Sequence, residues 1–391
     1  MIHIYEKQMC TGCYACVQRC PVSCITMQED SEGFLYPVVD ETLCVKCGLC
    51  DKVCPVRCQT EPAKPLYVYA AKNKDEDVRR ISSSGGIFFL LAKEVLSDNG
   101  VVFGARFNEE WEVIHDYTET LDGLSAFCGS KYVQSRIEDN YIKAESFLKS
   151  GRRVLFSGTP CQIAGLNLYL GKKYNDLLTI DVICHGIPSG VVWRKYLTEL
   201  FQSKGKNIKD ICYIDFRDKS TGWENYSITF RNENELLFTE PARKNIFMQG
   251  FLADLYLRPS CYACPTKSLK SGSDVTLGDF WGVQNVFTEY DDDKGVSAVI
   301  VKSEKGRIML EKCCRDILKK TTYNVVLMRN RSIEKSASLS VKRELFFDGL
   351  RMECVIPLIK RFTRLSWHLR LKKTIKRICK FALRQIGILH R

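Results

Sequence analysis

Of the 20 cysteines in this 391-residue chain, eight fall within the first fifty-four positions as two copies of one pattern. The copies are Cys10-x2-Cys13-x2-Cys16-x3-Cys20-Pro21 and Cys44-x2-Cys47-x2-Cys50-x3-Cys54-Pro55. Three thiolates at this spacing sit on one tight loop, while the fourth reaches across to the other copy; this is the ligation of a pair of 4Fe-4S clusters. Cys10, Cys13, Cys16 and Cys54 then hold one cluster, and Cys44, Cys47, Cys50 and Cys20 the other. Gly12 and Gly48 let each loop turn its N–H groups toward sulfur, and the proline after each fourth cysteine stops the loop. Zinc sites instead use cysteine pairs separated by a longer gap. A disulfide framework is also disfavoured, because a chain of this length with 45% hydrophobic residues can bury its own core. The opening Met-Ile-His-Ile-Tyr does not read as a secretion signal, so a reducing, cytoplasmic setting is expected. Cys24 and Cys58 extend the repeat, but with eight ligands supplied they read as small buried apolar residues.

The segment Gln59-Thr60-Glu61-Pro62-Ala63-Lys64-Pro65 is polar, with two prolines, and reads as a linker between independently folding units. Beyond it, strand-like runs at Tyr67–Ala71, Val101–Phe107, Val154–Ser157 and Leu178–Cys184 alternate with helical patterns near Gly86–Leu96, Asn140–Leu148, Gln162–Leu170 and Val191–Phe201. That alternation predicts an α/β body. Ile211–Phe216, Tyr226–Arg231 and Leu236–Thr239 predict an antiparallel addition.

The net charge of +12 is uneven. Residues 351–391 hold twelve Lys or Arg against one acid, Glu353, so nearly all of the excess lies there. The remainder is close to neutral, which argues against nucleic acid as a partner. In this tail Leu371, Ile375, Ile378, Ala382, Ile386 and Leu389 recur at helical spacing. A basic amphipathic helix of this kind either lies on an anionic membrane surface, here the inner face, or packs its apolar stripe on its own body.

Two loops of the body stand where α/β proteins bind ligands. Arg80-Ile81-Ser82-Ser83-Ser84-Gly85-Gly86 opens a helix, and its free N–H groups suit a phosphate or a ring carbonyl; an ordinary capped helix has the same sequence. Phe156-Ser157-Gly158-Thr159-Pro160-Cys161-Gln162 follows a buried strand. Cys161, Cys184 at the end of another strand, and Cys261-x2-Cys264-Pro265 offer four thiolates from three loops, enough for a third 4Fe-4S site, although isolated cysteines are commonly buried and inert. Cys128, Cys212, Cys313, Cys314, Cys354 and Cys379 show no ligand spacing.

Several motifs occur in one order: Ser83-Ser84-Gly85-Gly86, Gly129-Ser130-Lys131-Tyr132-Val133-Gln134-Ser135, Gly158-Thr159-Pro160-Cys161-Gln162, Cys184-His185-Gly186-Ile187-Pro188, Asp215-Phe216-Arg217-Asp218-Lys219 and Gly278-Asp279-Phe280-Trp281-Gly282. Together they resemble the beta-subunit family of coenzyme F-420-reducing hydrogenase and F-420-dependent formate dehydrogenase, which also includes 7-hydroxymethyl chlorophyll a reductase. The resemblance spans roughly residues 67–300, and the paired clusters match members with a fused ferredoxin domain. It implies FAD beside a third 4Fe-4S cluster, with Ser84, Gly85, Gly86, Ser130, Lys131, Tyr132, Ser135, Gly158, Thr159 and Gln162 around FAD, and Cys161, Cys184, Cys261 and Cys264 around the cluster. Lys131 suits a diphosphate or the charge of a reduced flavin; the alternative is a surface lysine. His185, Arg217 and Lys219 are polar motif residues placed to bind or protonate an acceptor, or to form structural ion pairs and caps.

The expected fold is therefore α+β: an N-terminal dicluster bacterial-ferredoxin-like domain (1–60), then an α/β flavin-binding body with an antiparallel addition, and a basic C-terminal helix (351–391). Within the body, residues 67–150 and 151–340 resemble the N- and C-terminal regions of the beta subunit. Clusters pass single electrons, nicotinamides and deazaflavins pass hydride, and a flavin does both. The implied function is an iron–sulfur flavoprotein oxidoreductase between one-electron carriers and a hydride acceptor. Its partners would be ferredoxin or a redox partner subunit, and F-420 or a small organic acceptor. The alternative is a non-catalytic electron-transfer subunit of a larger complex.

Overall fold

The computed structural model describes residues 1–364; the apolar stripe expected over residues 371–389 lies outside them. The two cysteine copies fold alike. Gly12 and Tyr14 take left-handed backbone (φ 69° and 65°) before the short helix Ala15–Gln18, and Lys46 and Gly48 (φ 53° and 73°) do so before Leu49–Lys52. Each loop makes two left-handed turns with glycine at only one, and not at the same one. Tyr14 and Lys46 thus hold a conformation costing roughly 1–3 kcal/mol, which the surrounding packing must impose. Strands Ile25–Glu29 and Leu35–Val39 pair antiparallel between the copies.

The body is built on an eight-stranded sheet in the order Leu318–Lys320, Tyr67–Ala71, Ser297–Val301, Val275–Asp279, Leu177–Val182, Val154–Gly158, Val101–Phe107 and Val113–Thr118. The strands from Val275–Asp279 to Val101–Phe107 run parallel, and antiparallel strands flank them on both sides. Successive side chains of the central strands face opposite layers. Val101, Phe103, Val154 and Phe156 pack with Tyr141, Ile163 and Leu166 of helices Asn140–Lys149 and Pro160–Leu170. Val102, Leu155, Leu178 and Ile180 pack with Leu91, Val95 and Leu310 of helices Ile87–Ser97 and Glu304–Cys314. Burial on both faces is why these strands read as continuous apolar runs. The strand expected to reach Cys184 stops at Val182, which leaves Cys184 in the following loop.

The antiparallel addition forms a separate three-stranded sheet, Leu236–Pro241, Ser227–Arg231 and Tyr213–Asp218. It packs on helix Gly190–Ser203 through Trp193, Leu197 and Phe201 against Phe216, Ile228 and Phe230. Helix Val355–Thr363 closes this layer with Val355, Leu358 and Ile359. The fold is thus a mixture of helices with a mixed sheet and two antiparallel ones.

Residues 59–65 join the cysteine-rich segment to the body, yet the two share one core. Cys13, Tyr14, Ala15 and Val53 lie in the same apolar cluster as Tyr141, Ile163 and Leu166. Gln18 Oε1 accepts from the N–H groups of Tyr141 (2.9 Å) and Ile142 (3.1 Å). Arg343 grips Glu32 through two hydrogen bonds of 3.0 and 2.6 Å. Among the described residues no helix is long and apolar enough to cross a membrane.

Candidate functional site

The loops bring the N-terminal cysteines together in two hollows. Cys10, Cys13, Cys16 and Cys54 line one with Ile2, Ile4, Met9 and Tyr14. Cys20, Cys44, Cys47 and Cys50 line the other, together with Cys24, whose Sγ is 3.4 Å from that of Cys20. Each hollow therefore takes three cysteines from one copy and the fourth from its partner copy. Backbone N–H groups point at sulfur: Gly12 to Cys10 Sγ at 3.4 Å and Ile2 to Cys50 Sγ at 3.2 Å. Burial pushes the Cys13 thiol up to about 12 and Cys16 well above its ordinary value, so an unliganded thiolate is disfavoured there. Among the described residues no three Cys, His, Asp or Glu side chains converge as ligands of a single metal ion do; these cysteines stand around hollows instead.

A third hollow lies in the body at the carboxyl end of Leu177–Val182, lined by Cys161, Cys184, Cys261 and Cys264. Cys161 enters on the first turn of helix Pro160–Leu170, which a reciprocal Thr159/Gln162 capping box holds in place. Cys261 and Cys264 come from the short helical turn Pro259–Ala263 and its end. Burial raises Cys161 to about 11, Cys184 to about 12 and Cys261 well above the ordinary thiol value. Polar groups reach three of the sulfurs. Thr159 Oγ1 is 3.3 Å from Cys161 Sγ, the Ile187 N–H donates to Cys261 Sγ at 3.3 Å, and Thr266 Oγ1 is 3.4 Å from Cys264 Sγ.

Beside this hollow opens a cleft of about 2140 Å³, counting its open mouth. Ser84, Gly86, Ser130, Lys131, Tyr132, Ser135, Gly158, Thr159 and Gln162 all line it. The helix Ile87–Ser97 starts at its wall behind Gly86 (φ 78°), with no side chain capping the first turn. Gly85 does not face the cleft. Its N–H donates to Ser297 Oγ at 3.0 Å, and a Cβ there would collide with the Ala71 carbonyl oxygen, so this glycine serves strand packing, not ligand approach.

The polar motif residues divide by role. Arg217 is 3% exposed and pairs with Asp279 through bonds of 2.9 and 3.2 Å, its guanidinium 4.0 Å from the Tyr226 ring centre. Asp279 also accepts from Trp223 Nε1 at 3.1 Å, and Trp223 stacks on Trp281 at 4.7 Å. Lys219 donates to the carbonyls of Arg79, Ser84 and Lys294, and so fastens the serine loop from behind. Both side chains are committed to structure. Lys131 is half-buried, not a surface lysine; it donates to the carbonyls of Ala126 and Cys128, and burial pulls its ammonium down to about 8. His185 keeps an exposed edge, with Nε2 2.7 Å from Asp254 Oδ1, and lines both the cleft and the third hollow. Sequence reasoning passed over His115, which lines the cleft with Nε2 2.9 Å from the Ser157 carbonyl, and over the buried Arg258. Neither stands in a recognisable motif.

Residues 151–325 match the family model for the C terminus of the coenzyme F420 hydrogenase/dehydrogenase beta subunit. Residues 9–58 match that of the 4Fe-4S dicluster domain. No curated protein matches the chain. Among solved structures, a chain from the xenon-derivatised F420-reducing NiFe hydrogenase complex of Methanosarcina barkeri is similar at 14% identity and a TM-score of 0.47, over 77% of this chain and 92% of that one. The chain thus carries a 4Fe-4S dicluster domain in residues 9–58 and, in residues 151–325, a region that matches the C terminus of the coenzyme F420 hydrogenase/dehydrogenase beta subunit.

Proposed function

We propose that this chain is an iron–sulfur flavoprotein oxidoreductase exchanging electrons between a one-electron carrier and a hydride-accepting organic molecule or coenzyme F-420. The supporting observation is adjacency. Thr11 lines both the Cys10 hollow and the third hollow, and the loop around Cys184 and His185 lines both the third hollow and the cleft. The Cys10 hollow, the third hollow and the cleft thus follow one another through shared walls.

The residues fit the groups this reading needs. Four thiols around one hollow, with Cys161, Cys184 and Cys261 raised by burial and three of the four sulfurs met by polar partners, are a donor set for a third 4Fe-4S cluster. A cleft whose enclosed space of about 600 Å³ lies within the roughly 300–1,000 Å³ of small-ligand pockets, with an uncapped helix start and Lys131 on its wall, suits a dinucleotide such as FAD. When bound, the clusters supply one-electron transfer and the flavin converts between one-electron and hydride chemistry. The protein's own contribution is positional. The Gly86 turn and Lys131 face the anionic part of such a ligand, Gln162 and Ser135 hold the wall rigid by a 2.8 Å hydrogen bond, and the Arg217–Asp279 pair anchors the far side. His185, oriented by Asp254, is the side chain on the shared wall able to hold or release a proton to an acceptor.

A second reading, an electron-transfer subunit serving a partner enzyme, draws on the surface near the Cys44 hollow. Leu43 and Val45 are 57% and 62% exposed there beside exposed Cys47, a patch that a ferredoxin or partner subunit would cover. Hydride exchange by the isolated chain with F-420 or a nicotinamide supports the first reading, and none with any soluble acceptor supports the second. The charge of residues 351–391 adds a peripheral contact with anionic membrane, at about 1 kcal/mol per cation near the surface. A chain ended at Arg364 should lose pelleting with anionic vesicles at low salt, and unchanged pelleting would exclude that contact. For the redox centres, reconstitution without oxygen should give about twelve irons per chain and one flavin. Cys161→Ser should bring iron to about eight while leaving the N-terminal spectrum intact. A parent protein that stays near eight irons would remove the third site.

A further inference from the structure

Among the described residues four arginines are deeply buried: Arg79, Arg217, Arg258 and Arg343. Three of them meet a carboxylate, Arg79 with Asp292, Arg217 with Asp279 and Arg343 with Glu32. Arg258, at 0% exposure the most buried of the four, does not. Its Nε donates to the Cys10 carbonyl at 2.8 Å, Nη1 to Gln134 Oε1 at 3.1 Å, and Nη2 to the Leu35 carbonyl at 2.9 Å and to Cys10 Sγ at 3.4 Å. Its guanidinium lies 4.5 Å from the ring centre of Tyr36 and 5.6 Å from that of Phe34. On its other side it lines the third hollow with Cys161, Cys184, Cys261 and Cys264.

Arginine stays charged in any protein environment, and a buried charge without a counter-charge is strongly unfavourable. Carbonyls, an amide and two aromatic faces solvate a guanidinium but do not neutralise it. The negative charge must come from what lies on either side, the two cysteine sets. Thiolate-ligated iron–sulfur groups carry net negative charge that grows on reduction, and nearby charge and hydrogen bonds to sulfur set their potentials.

We infer that Arg258 is the shared counter-ion of the Cys10/Cys13/Cys16/Cys54 site and the Cys161/Cys184/Cys261/Cys264 site, and that it raises the reduction potential of both. The second half rests on the third cluster proposed above; the first half needs only the N-terminal pair. Because one cation faces both sites, its field favours an added electron on either. Gly12 is part of this arrangement: a Cβ there would lie 2.8 Å from Arg258 Nη1, so the absent side chain is what lets the guanidinium reach the first loop.

The test is a redox titration of the full chain, reconstituted without oxygen and followed by electron paramagnetic resonance, on three variants. Arg258→Gln removes the charge and keeps a donor, Arg258→Lys keeps the charge and loses the fork, and Gln134→Glu places a carboxylate against Arg258 with no change of shape. Arg258→Gln and Gln134→Glu should both shift the adjacent sites to more negative potential and leave the Cys20/Cys44/Cys47/Cys50 site nearly where it was, while Arg258→Lys stays near the parent. If Arg258→Gln fails to assemble, Gln134→Glu alone decides, since it alters only the charge. Parent potentials in Gln134→Glu, or an equal fall in Arg258→Lys, would overturn the inference and leave Arg258 a structural tie. Iron content of the parent separates this from the third-site reading: with about eight irons that reading fails, and a shift confined to the Cys10 site still supports Arg258 as its counter-ion.

Discussion

Lys131 shows how one side chain can be both held and poised. Two carbonyls fix its ammonium on the wall of the cleft, and burial pulls it down to about 8, well under an ordinary lysine. The folded protein therefore releases this proton more readily than the unfolded chain. A charged Lys131 costs stability below that value, and the cost disappears as pH rises through it toward the ordinary lysine range. Its attraction for an anionic ligand runs the other way, present below about 8 and lost above. The dissociation constant for FAD, followed by flavin fluorescence, should rise between about pH 7 and pH 9 in the parent and stay level in Lys131→Arg, which remains charged throughout. A flat profile in the parent would mean that Lys131 does not face the ligand's charge.

At the scale of elements, the helix Pro160–Leu170 does two things at once. Its first turn presents Cys161 to the third hollow, and its middle carries Gly165 against the first cysteine loop. A Cβ at Gly165 would lie 3.0 Å from Cys13 Cβ and 3.1 Å from the Tyr141 hydroxyl, close enough that these neighbours would have to shift. Overpacking of this kind typically costs 1–3 kcal/mol and moves what it touches. Gly165→Val should broaden or abolish the resonance of the Cys10/Cys13/Cys16/Cys54 site while binding of the proposed flavin is retained, because Thr159 and Gln162 line the cleft and Gly165 does not. Unchanged spectra would show that the loop is not seated on this helix. The short helix after each cysteine loop has no core of its own, so its position depends on such contacts.

Across the whole molecule, the cysteine-rich segment and the body behave as one packed object joined by a thin covalent strap. Apolar contacts around Cys13, Tyr14 and Tyr141, the Gln18 clamp on Tyr141 and Ile142, and the Arg343–Glu32 pair all cross between them. Cleavage at a protease site inserted within residues 59–65 should leave both fragments co-eluting in gel filtration and should preserve the N-terminal clusters. Separation of the fragments after the cut would show the shared core to be too weak to hold them. A single rigid object has a functional use, since electron transfer between sites depends on their fixed spacing, which a flexible tether would not keep.

What was legible in the sequence was whatever depends on local spacing. The x2-x2-x3 repeats imply crossed ligand sets because neither loop can reach all its partners alone, and the hollows collect Cys54 with the first loop and Cys20 with the second. Strands such as Tyr67–Ala71 and Val101–Phe107 were legible because their mostly buried positions carry short runs of apolar, β-branched and aromatic residues. Val113–Thr118 and Val275–Asp279 were not, since their polar and small residues become strand only by pairing in the sheet, and Ser297–Val301 was passed over although its Ala-Val-Ile-Val run is fully buried. The roles of the motif residues also belonged to tertiary structure. Gly85 turned from cleft to sheet, and Arg217 and Lys219 became an ion pair and a carbonyl clamp, because their partners lie far away in sequence. Arg258 is the limiting case: nothing near it in the chain marks it, and only the fold brings Cys10, Gln134 and the third cysteine set around its charge, since an isolated guanidinium is recognised by what surrounds it in space.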